Sequence, residues 1–325
     1  MRDVLVSQPI TINHQEEKNM LNNEDYLLSS IFNHPNIRIK NKVAVEEKLL
    51  QMMRDGQDKL MVITDFDFTL TKFDSASGER FWSSPGIFDR LASEIRPSLV
   101  EKFKQLCKKY IPIEFDPKLS MEEKIPHMES FWKESHRLTV SAGFEKNVIE
   151  EFVRRSKIAL RDGTTQLMEN LSSNDIPMVI FSAGVGDVID VFLRKEMNKR
   201  DLPENMHIIS NMMEFDNEGI VTGFSEPLIH TFCKNSSVIQ KEAAFFHQIA
   251  ERTNVILLGD SLGDIHMDVG VEKEQIPLKI GFLNYKVDEL IDTFTDIYDI
   301  VLIRDRSMTV PSAILRSIQE HEIIV

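Results

Sequence analysis

Residues 59–70 read Lys59-Leu60-Met61-Val62-Ile63-Thr64-Asp65-Phe66-Asp67-Phe68-Thr69-Leu70, an apolar run that stops at two carboxylates spaced i, i+2 and a threonine. The run has the length and β-branched content of a strand buried in a parallel sheet. If the chain stays extended through Asp67, both carboxylates face one side, because side chains alternate along a strand. Ligands of open α/β sheets bind beyond the carboxyl ends of the strands, where this pair sits. Two like charges with no base between them want a cation. Hard oxygen donors suit Mg²⁺, which keeps waters and accepts phosphate oxygens. A lone Asp-x-Asp reads equally well as a solvated acidic turn, so the rest of the chain has to decide.

The chain has 325 residues, 42% hydrophobic and 28% charged, the balance of an ordinary globular protein of about two domains. Its net charge of -14 repels nucleic-acid polymers and anionic membranes. An anionic substrate therefore needs local help from a metal or a lysine. The two cysteines, Cys107 and Cys233, have no metal-ligand spacing; they argue against a disulfide framework and suit a reducing compartment. Residues 1–20 hold Asp3, Glu16 and Glu17 and no apolar core, unlike a signal peptide. No apolar run reaches membrane-spanning length. The expectation is a cytoplasmic protein.

Residues 1–58 form an N-terminal extension. Up to residue 45 it is polar and irregular, a loosely docked segment; a helix then starts near Val43, carried by Val45, Leu49 and Met52. A Ser/Gly-rich loop with Phe81 and Trp82 follows the Asp-x-Asp strand. Residues 84–158 show helical spacing throughout, as in Leu99, Phe103, Leu106 and Tyr110, and read as an inserted helical unit without strands. From Asp162 the pattern alternates: strands at Met178–Phe181, His207–Ser210, Val255–Leu258, Lys279–Phe282 and Ile300–Ile303 are separated by amphipathic helices. The fold class is α/β, a doubly wound parallel sheet built from 59–83 and 159–325, with the helical unit inserted.

Three further features fall where such a sheet places a site. Ser182-Ala183-Gly184-Val185-Gly186-Asp187 links a strand to a helix, and small residues there let backbone N–H groups approach a phosphate. Gly259-Asp260-Ser261-Leu262-Gly263-Asp264 is a second acidic strand end, with Asp260 the natural extra metal ligand. His230-Thr231-Phe232-Cys233-Lys234 offers an ammonium for a phosphoryl group. Each alone has a bland reading: a common small-residue turn, a solvated acidic loop, a surface lysine.

In this order the four motifs resemble the haloacid dehalogenase superfamily and, more narrowly, the cytosolic 5′-nucleotidase III (pyrimidine 5′-nucleotidase) family. Within residues 84–158, Ile113-Glu114-Phe115-Asp116-Pro117 and Glu134-Ser135-His136 match that family's helical cap. The likeness runs from about residue 60 to about 318. It implies a haloacid dehalogenase-like core with a substrate-selecting cap, and a Mg²⁺-dependent 5′-nucleotidase. By that resemblance Asp65 is the nucleophile and Asp67 the general acid and base. Asp65, the backbone carbonyl of Asp67 and Asp260 hold Mg²⁺, with Asp264 in its outer shell. Ser182, Ala183, Ser261 and Lys234 bind the phosphoryl group. Glu114, Ser135 and Trp132 select the base, pyrimidine or 7-methylguanine. Trp132 also reads as a cap-core residue, and tryptophan there matches the branch preferring the cationic 7-methylguanine.

The implied partner is a small-molecule nucleoside monophosphate, with no nucleic-acid polymer and no membrane, and a monomer is the default. A nucleoside phosphotransferase, another small-molecule phosphatase or a non-catalytic Mg²⁺-binding module share parts of this pattern. Phe68 stands where the family has methionine, the loop 74–90 lacks its basic, cysteine-containing pattern, and residues 194–206 are longer.

Overall fold

The computed structural model describes residues 31, 33–114, 116, 118–234, 249, 251–268 and 276–321. Its strands are β1 (Ile37–Arg38), β2 (Leu60–Thr64), β3 (Met178–Val185), β4 (Met206–Asn211), β5 (Met213–Phe215), β6 (Val221–Phe224), β7 (Asn254–Gly259), β8 (Ile276–Leu283) and β9 (Ile300–Ile303). Its α-helices are α1 (Lys42–Asp55), α2 (Gly86–Ile95), α3 (Pro97–Glu114), α4 (Met121–Ser141), α5 (Lys146–Arg154), α6 (Thr164–Ser173), α7 (Gly186–Glu196), α8 (Val287–Ile297) and α9 (Thr309–His321).

β2 lies inside a seven-stranded sheet of order β1-β9-β8-β7-β2-β3-β4. Val62 is opposite Ile256 on one side and Met178 on the other, both pairings parallel. All five β2 residues are buried. Leu60 and Val62 join one apolar core while Met61 and Ile63 join another. Successive side chains of a strand point to opposite faces, so two cores mean a sheet covered on both sides. The doubly wound α/β class is borne out.

Every strand expected after Asp162 is present, most of them longer by one to three residues at an end. β3 differs for a physical reason. It continues past Phe181 to Val185, with a register irregularity against β4. The Asn211 side chain takes the carbonyls of Ala183 and Gly184 at 2.8 and 3.1 Å, in place of ladder bonds.

Residues 1–30 of the N-terminal extension lie outside the described residues. The part from 31 onward is not loosely docked. Ile37 pairs antiparallel with Leu302 at the sheet edge. Helix α1 buries Val45, Leu49, Met52 and Met53 and packs on α9 and β8.

Helices α2 to α5 lie between β2 and α6, within residues 84–158. α4 opens with a capping box, Ser120 accepting from the Glu123 amide while Glu123 accepts from that of Ser120, which fixes where the helix starts. The hairpin β5–β6, absent from the sequence reading, packs on these helices. The Lys146 amide donates to Gly219 at 2.8 Å and the Val221 amide to Phe144 at 3.0 Å. Phe224 stacks on His136 of α4 with ring centroids 3.8 Å apart. No helix among the described residues is long and apolar enough to cross a membrane.

Candidate active site

β2 ends one residue before the first carboxylate. Asp65 is still extended, and its amide donates to Leu258 of β7 at 3.0 Å. The chain then curls through Phe66–Leu70, closed by the Thr71 amide on the Phe66 carbonyl at 3.1 Å. The two aspartates are therefore brought together by a turn, not by strand alternation as the sequence suggested. The turn forces Phe68 to φ 65°, the left-handed region that a bulky residue seldom adopts.

Arg161 holds this turn. Its guanidinium donates to the carbonyls of Thr69 (2.6 Å), Phe68 (2.5 Å) and Asp305, and to Asn284 Oδ1 (2.8 Å). It stacks 4.0 Å over the Phe282 ring, and burial lowers its pKa to about 10. Asn284 adds a bond to the Phe68 carbonyl at 3.0 Å and one to Asp260 at 3.3 Å.

Asp67 points to Ser84, in the loop before α2. The Ser84 hydroxyl donates to its Oδ2 at 2.5 Å and the Ser84 amide to its Oδ1 at 2.6 Å. Burial pushes Asp67 up to about 6 against these bonds, which favour the ionised form. Asp65 faces Lys234, whose ammonium bridges it at 2.5 Å to Asp264 at 2.7 Å. Burial raises Asp65 to about 7 in spite of that lysine. Burial alone would lower Lys234, but Asp264 and Asp65 carry it above its ordinary value. Asp264 also accepts from the amides of Asp260 and Ser261 and from the Ser261 hydroxyl, at 2.9–3.0 Å. It thus shapes the loop that presents Asp260. Gly263 in that loop has no room for a Cβ, which would stand 1.9 Å from the Thr231 carbonyl.

One carboxylate oxygen from each of Asp65, Asp260 and Asp264 lies within 4.8 Å of the others. Burial, with Asp65 and Asp264 next, drives Asp260 well above its usual range. Four clustered carboxylates, Asp67 included, outnumber the cations beside them, Lys234 and Arg161. Clustered oxygen donors short of positive charge fit a divalent metal ion.

Ser182 and Ala183 lie at the irregular end of β3. Ser182 is buried, and its Oγ accepts from the Gly184 amide at 3.0 Å. Asn211 ties this segment to the chain leading to Lys234: besides the two β3 carbonyls, it bonds the carbonyl and amide of Ile229 at 2.8 and 2.9 Å. The inserted helices reach the same place. Glu114, at the end of α3, accepts from the Thr231 hydroxyl at 2.7 Å, and burial raises its pKa.

The structure brings Asp65, Asp67, Asp260, Asp264, Lys234, Ser182 and Glu114 to one end of the sheet. Ser261 is turned away from a free role, its hydroxyl on Asp264 and its carbonyl taken by Tyr298 at 2.6 Å. Trp132, only 6% exposed, packs in the core that contains Phe181 and Ala183, edge-on to Phe131. Ser135 is half-buried on the same helix. Phe115 and Pro117 lie outside the described residues.

Sequence reasoning missed Ser84, Arg161, Asn211 and Asn284. Ser84 and the two asparagines carry no local signal, since their partners are 17 to 216 residues away. Arg161 had a weak one, an arginine directly after the apolar run Ile158-Ala159-Leu160.

The fold is haloacid dehalogenase-like. The family model for pyrimidine 5′-nucleotidase (UMPH-1) matches residues 68–319. A Caenorhabditis elegans protein named cytosolic 5′-nucleotidase 3 is 49% identical over 291 residues, 89% of this chain and 77% of that one. The 7-methylguanosine phosphate-specific 5′-nucleotidase B of Xenopus laevis is 41% identical over 280 residues, 86% of this chain and 94% of that one. A crystal structure of cytosolic 5′-nucleotidase IIIB bound to cytidine superposes with a TM-score of 0.81 at 31% identity, covering 91% of this chain and 98% of that one. The chain belongs to the pyrimidine 5′-nucleotidase family and is a hydrolase of the 5′-nucleotidase class.

Proposed function

We propose that this chain hydrolyses nucleoside 5′-monophosphates, pyrimidine or 7-methylguanosine, in the cytoplasm, and that Mg²⁺ is its metal. The observation that carries this is the ammonium of Lys234 set between Asp65 and Asp264 at the end of the sheet, with Glu114 of the inserted helices bonded to Thr231, three residues before that lysine. A phosphoryl group would take the place beside Lys234, and the base would lie toward Glu114.

Asp65 attacks phosphorus; the bond to the ribose 5′ oxygen breaks, and that oxygen takes a proton from Asp67, releasing the nucleoside. Asp67 then accepts a proton from water as the water attacks the aspartyl-phosphate, freeing phosphate and restoring Asp65. Its raised pKa, about 6, suits a group that must hold and release a proton near neutrality. Lys234, Ser182 and the Ala183 amide hold the phosphoryl oxygens. Asp65, Asp260 and the Asp67 carbonyl would hold Mg²⁺, with Asp264 behind them; bound there, it neutralises charge developing on the phosphoryl group. Residues 84–158 act as the cap, with Glu114, Ser135 and Trp132 on the base side, and Ser261 acts through Asp264.

The test is phosphate release from CMP, UMP, 7-methyl-GMP, AMP and phosphoserine, with Mg²⁺, with chelator, and for Asp65→Asn. Metal-dependent release from CMP or 7-methyl-GMP, abolished by the substitution, is the expected result. Preference for phosphoserine overturns the cap assignment, and an active Asp65→Asn protein overturns the nucleophile.

A further inference from the structure

Lys124 lies in the first turns of α4, in the inserted helices, and is 7% exposed. Lysine is among the residues least often buried; here the apolar stem is covered while the ammonium keeps contact with solvent. Lys124 makes no side-chain hydrogen bond and no ion pair among the described residues. Its Nζ stands 5.7 Å from the ring centroid of Phe232, too far for more than a weak cation–π contact. Asp116 and Glu114 supply a negative field around it without touching it. The charge is thus partly balanced, and among the described residues its donors meet no protein acceptor, which leaves them open to solvent or a ligand.

Its neighbours say where those donors lead. Phe232 lies between Thr231, which bonds Glu114, and Lys234, which bonds Asp65. Glu114 in turn feels Lys124 and Lys234 together. Lys124 and Glu114, a donor and an acceptor, thus meet the same short segment at neighbouring residues, one over the Phe232 ring and the other on the Thr231 hydroxyl, a few residues before the phosphoryl-side lysine. Nucleobases present the complementary edge: the amino group of cytosine beside ring N3, or N1–H of guanine beside the O6 carbonyl.

We propose that Lys124 is a substrate-binding residue that donates to the acceptor atom of the base, next to the donor taken by Glu114. This rests on the nucleotide reading above. The competing role is structural, balancing Asp116 and Glu114 where α3 turns into α4.

The experiment measures phosphate release from the best nucleotide, inhibited separately by its nucleoside (cytidine or 7-methylguanosine) and by inorganic phosphate. Wild type, Lys124→Met and Lys124→Arg are compared; methionine keeps the apolar stem, and arginine keeps a charge and donors. Losing a hydrogen bond to a charged group should raise the ratio of nucleoside to phosphate inhibition constants by about tenfold or more in Lys124→Met, with Lys124→Arg recovering most of it. Constants that rise together, or a ratio that does not move, overturn the inference and leave the nucleotidase reading standing. A wild-type protein that releases no phosphate from any nucleotide overturns both.

Discussion

Ser84 holds Asp67 by both its hydroxyl and its amide, at 2.5 and 2.6 Å, although 17 residues separate them. Both bonds favour the carboxylate, and they oppose the burial that lifts Asp67 to about 6. Removing the hydroxyl should therefore lift Asp67 further. In Ser84→Ala the alkaline limb of the kcat profile should move up by about one unit, as expected for one bond to a charged group. A limb that stays in place or moves down would show that Ser84 does not govern the Asp67 proton.

Gly184 leaves space for that pair. A Cβ there would stand 2.0 Å from Ser84 Oγ and 3.0 Å from Asp67 Oδ2. Gly184→Ala should lower kcat by about a hundredfold, because small misplacements of catalytic groups have effects of that size. The closest clash is with the Ser84 hydroxyl, so the same substitution in a Ser84→Ala background should do less damage. A double-mutant cycle measures the coupling. Additive losses would place the damage elsewhere, in the backbone of β3.

What the sequence revealed and what it hid divide along contact range. Asp65, Asp67, Ser182, Asp260 and Asp264 were legible because each sits in a short motif at or near the carboxyl end of a strand, and the sheet carries those ends to one edge, whereas Lys234, in a loop well after β6, was legible only in the company of these motifs. The strands themselves were legible because their apolar runs are buried on both faces. The hairpin β5–β6 was not: Met213-Glu214-Phe215 and Val221-Thr222-Gly223-Phe224 are too short to show alternation, and their partners are the inserted helices. The turn after Asp65 was misread as extended, because its shape depends on Arg161, nearly a hundred residues away.

Arg161 offers the next prediction. Its guanidinium satisfies the carbonyls of Phe68, Thr69 and Asp305 and the Asn284 side chain together. An ammonium is a point donor and cannot span that fork, so Arg161→Lys is not conservative here. Arg161→Met leaves four acceptors without this donor and should destabilise the protein by about 3 kcal/mol or more in urea denaturation. Arg161→Lys should lose less stability but should still lower kcat, since the Phe68 turn positions both aspartates. Wild-type kcat in Arg161→Lys would detach the turn from catalysis.

Metal removal gives a prediction whose sign follows from burial. Asp65 titrates near 7 and Asp67 near 6, against an ordinary value of 3.8, and burial is the main cause in both. A carboxylate whose pKa is higher in the folded than in the unfolded chain holds more protons when folded, so stability falls as pH rises between the two values. His136, lowered to about 4 by burial from 6.5, works in the opposite direction, but only below 6.5. The raised Lys234 titrates far above this range. Between pH 6.5 and about 8 the carboxylates therefore act without that opposition. Chelator-treated protein should lose Tm across this window, and Asp65→Asn should flatten the loss. Added Mg²⁺ should raise Tm more at pH 8 than at pH 6.5, because the metal competes with protons for the same oxygens. A chelated protein whose Tm is flat or rising over this window would show that the buried carboxylates are already neutralised from within the chain.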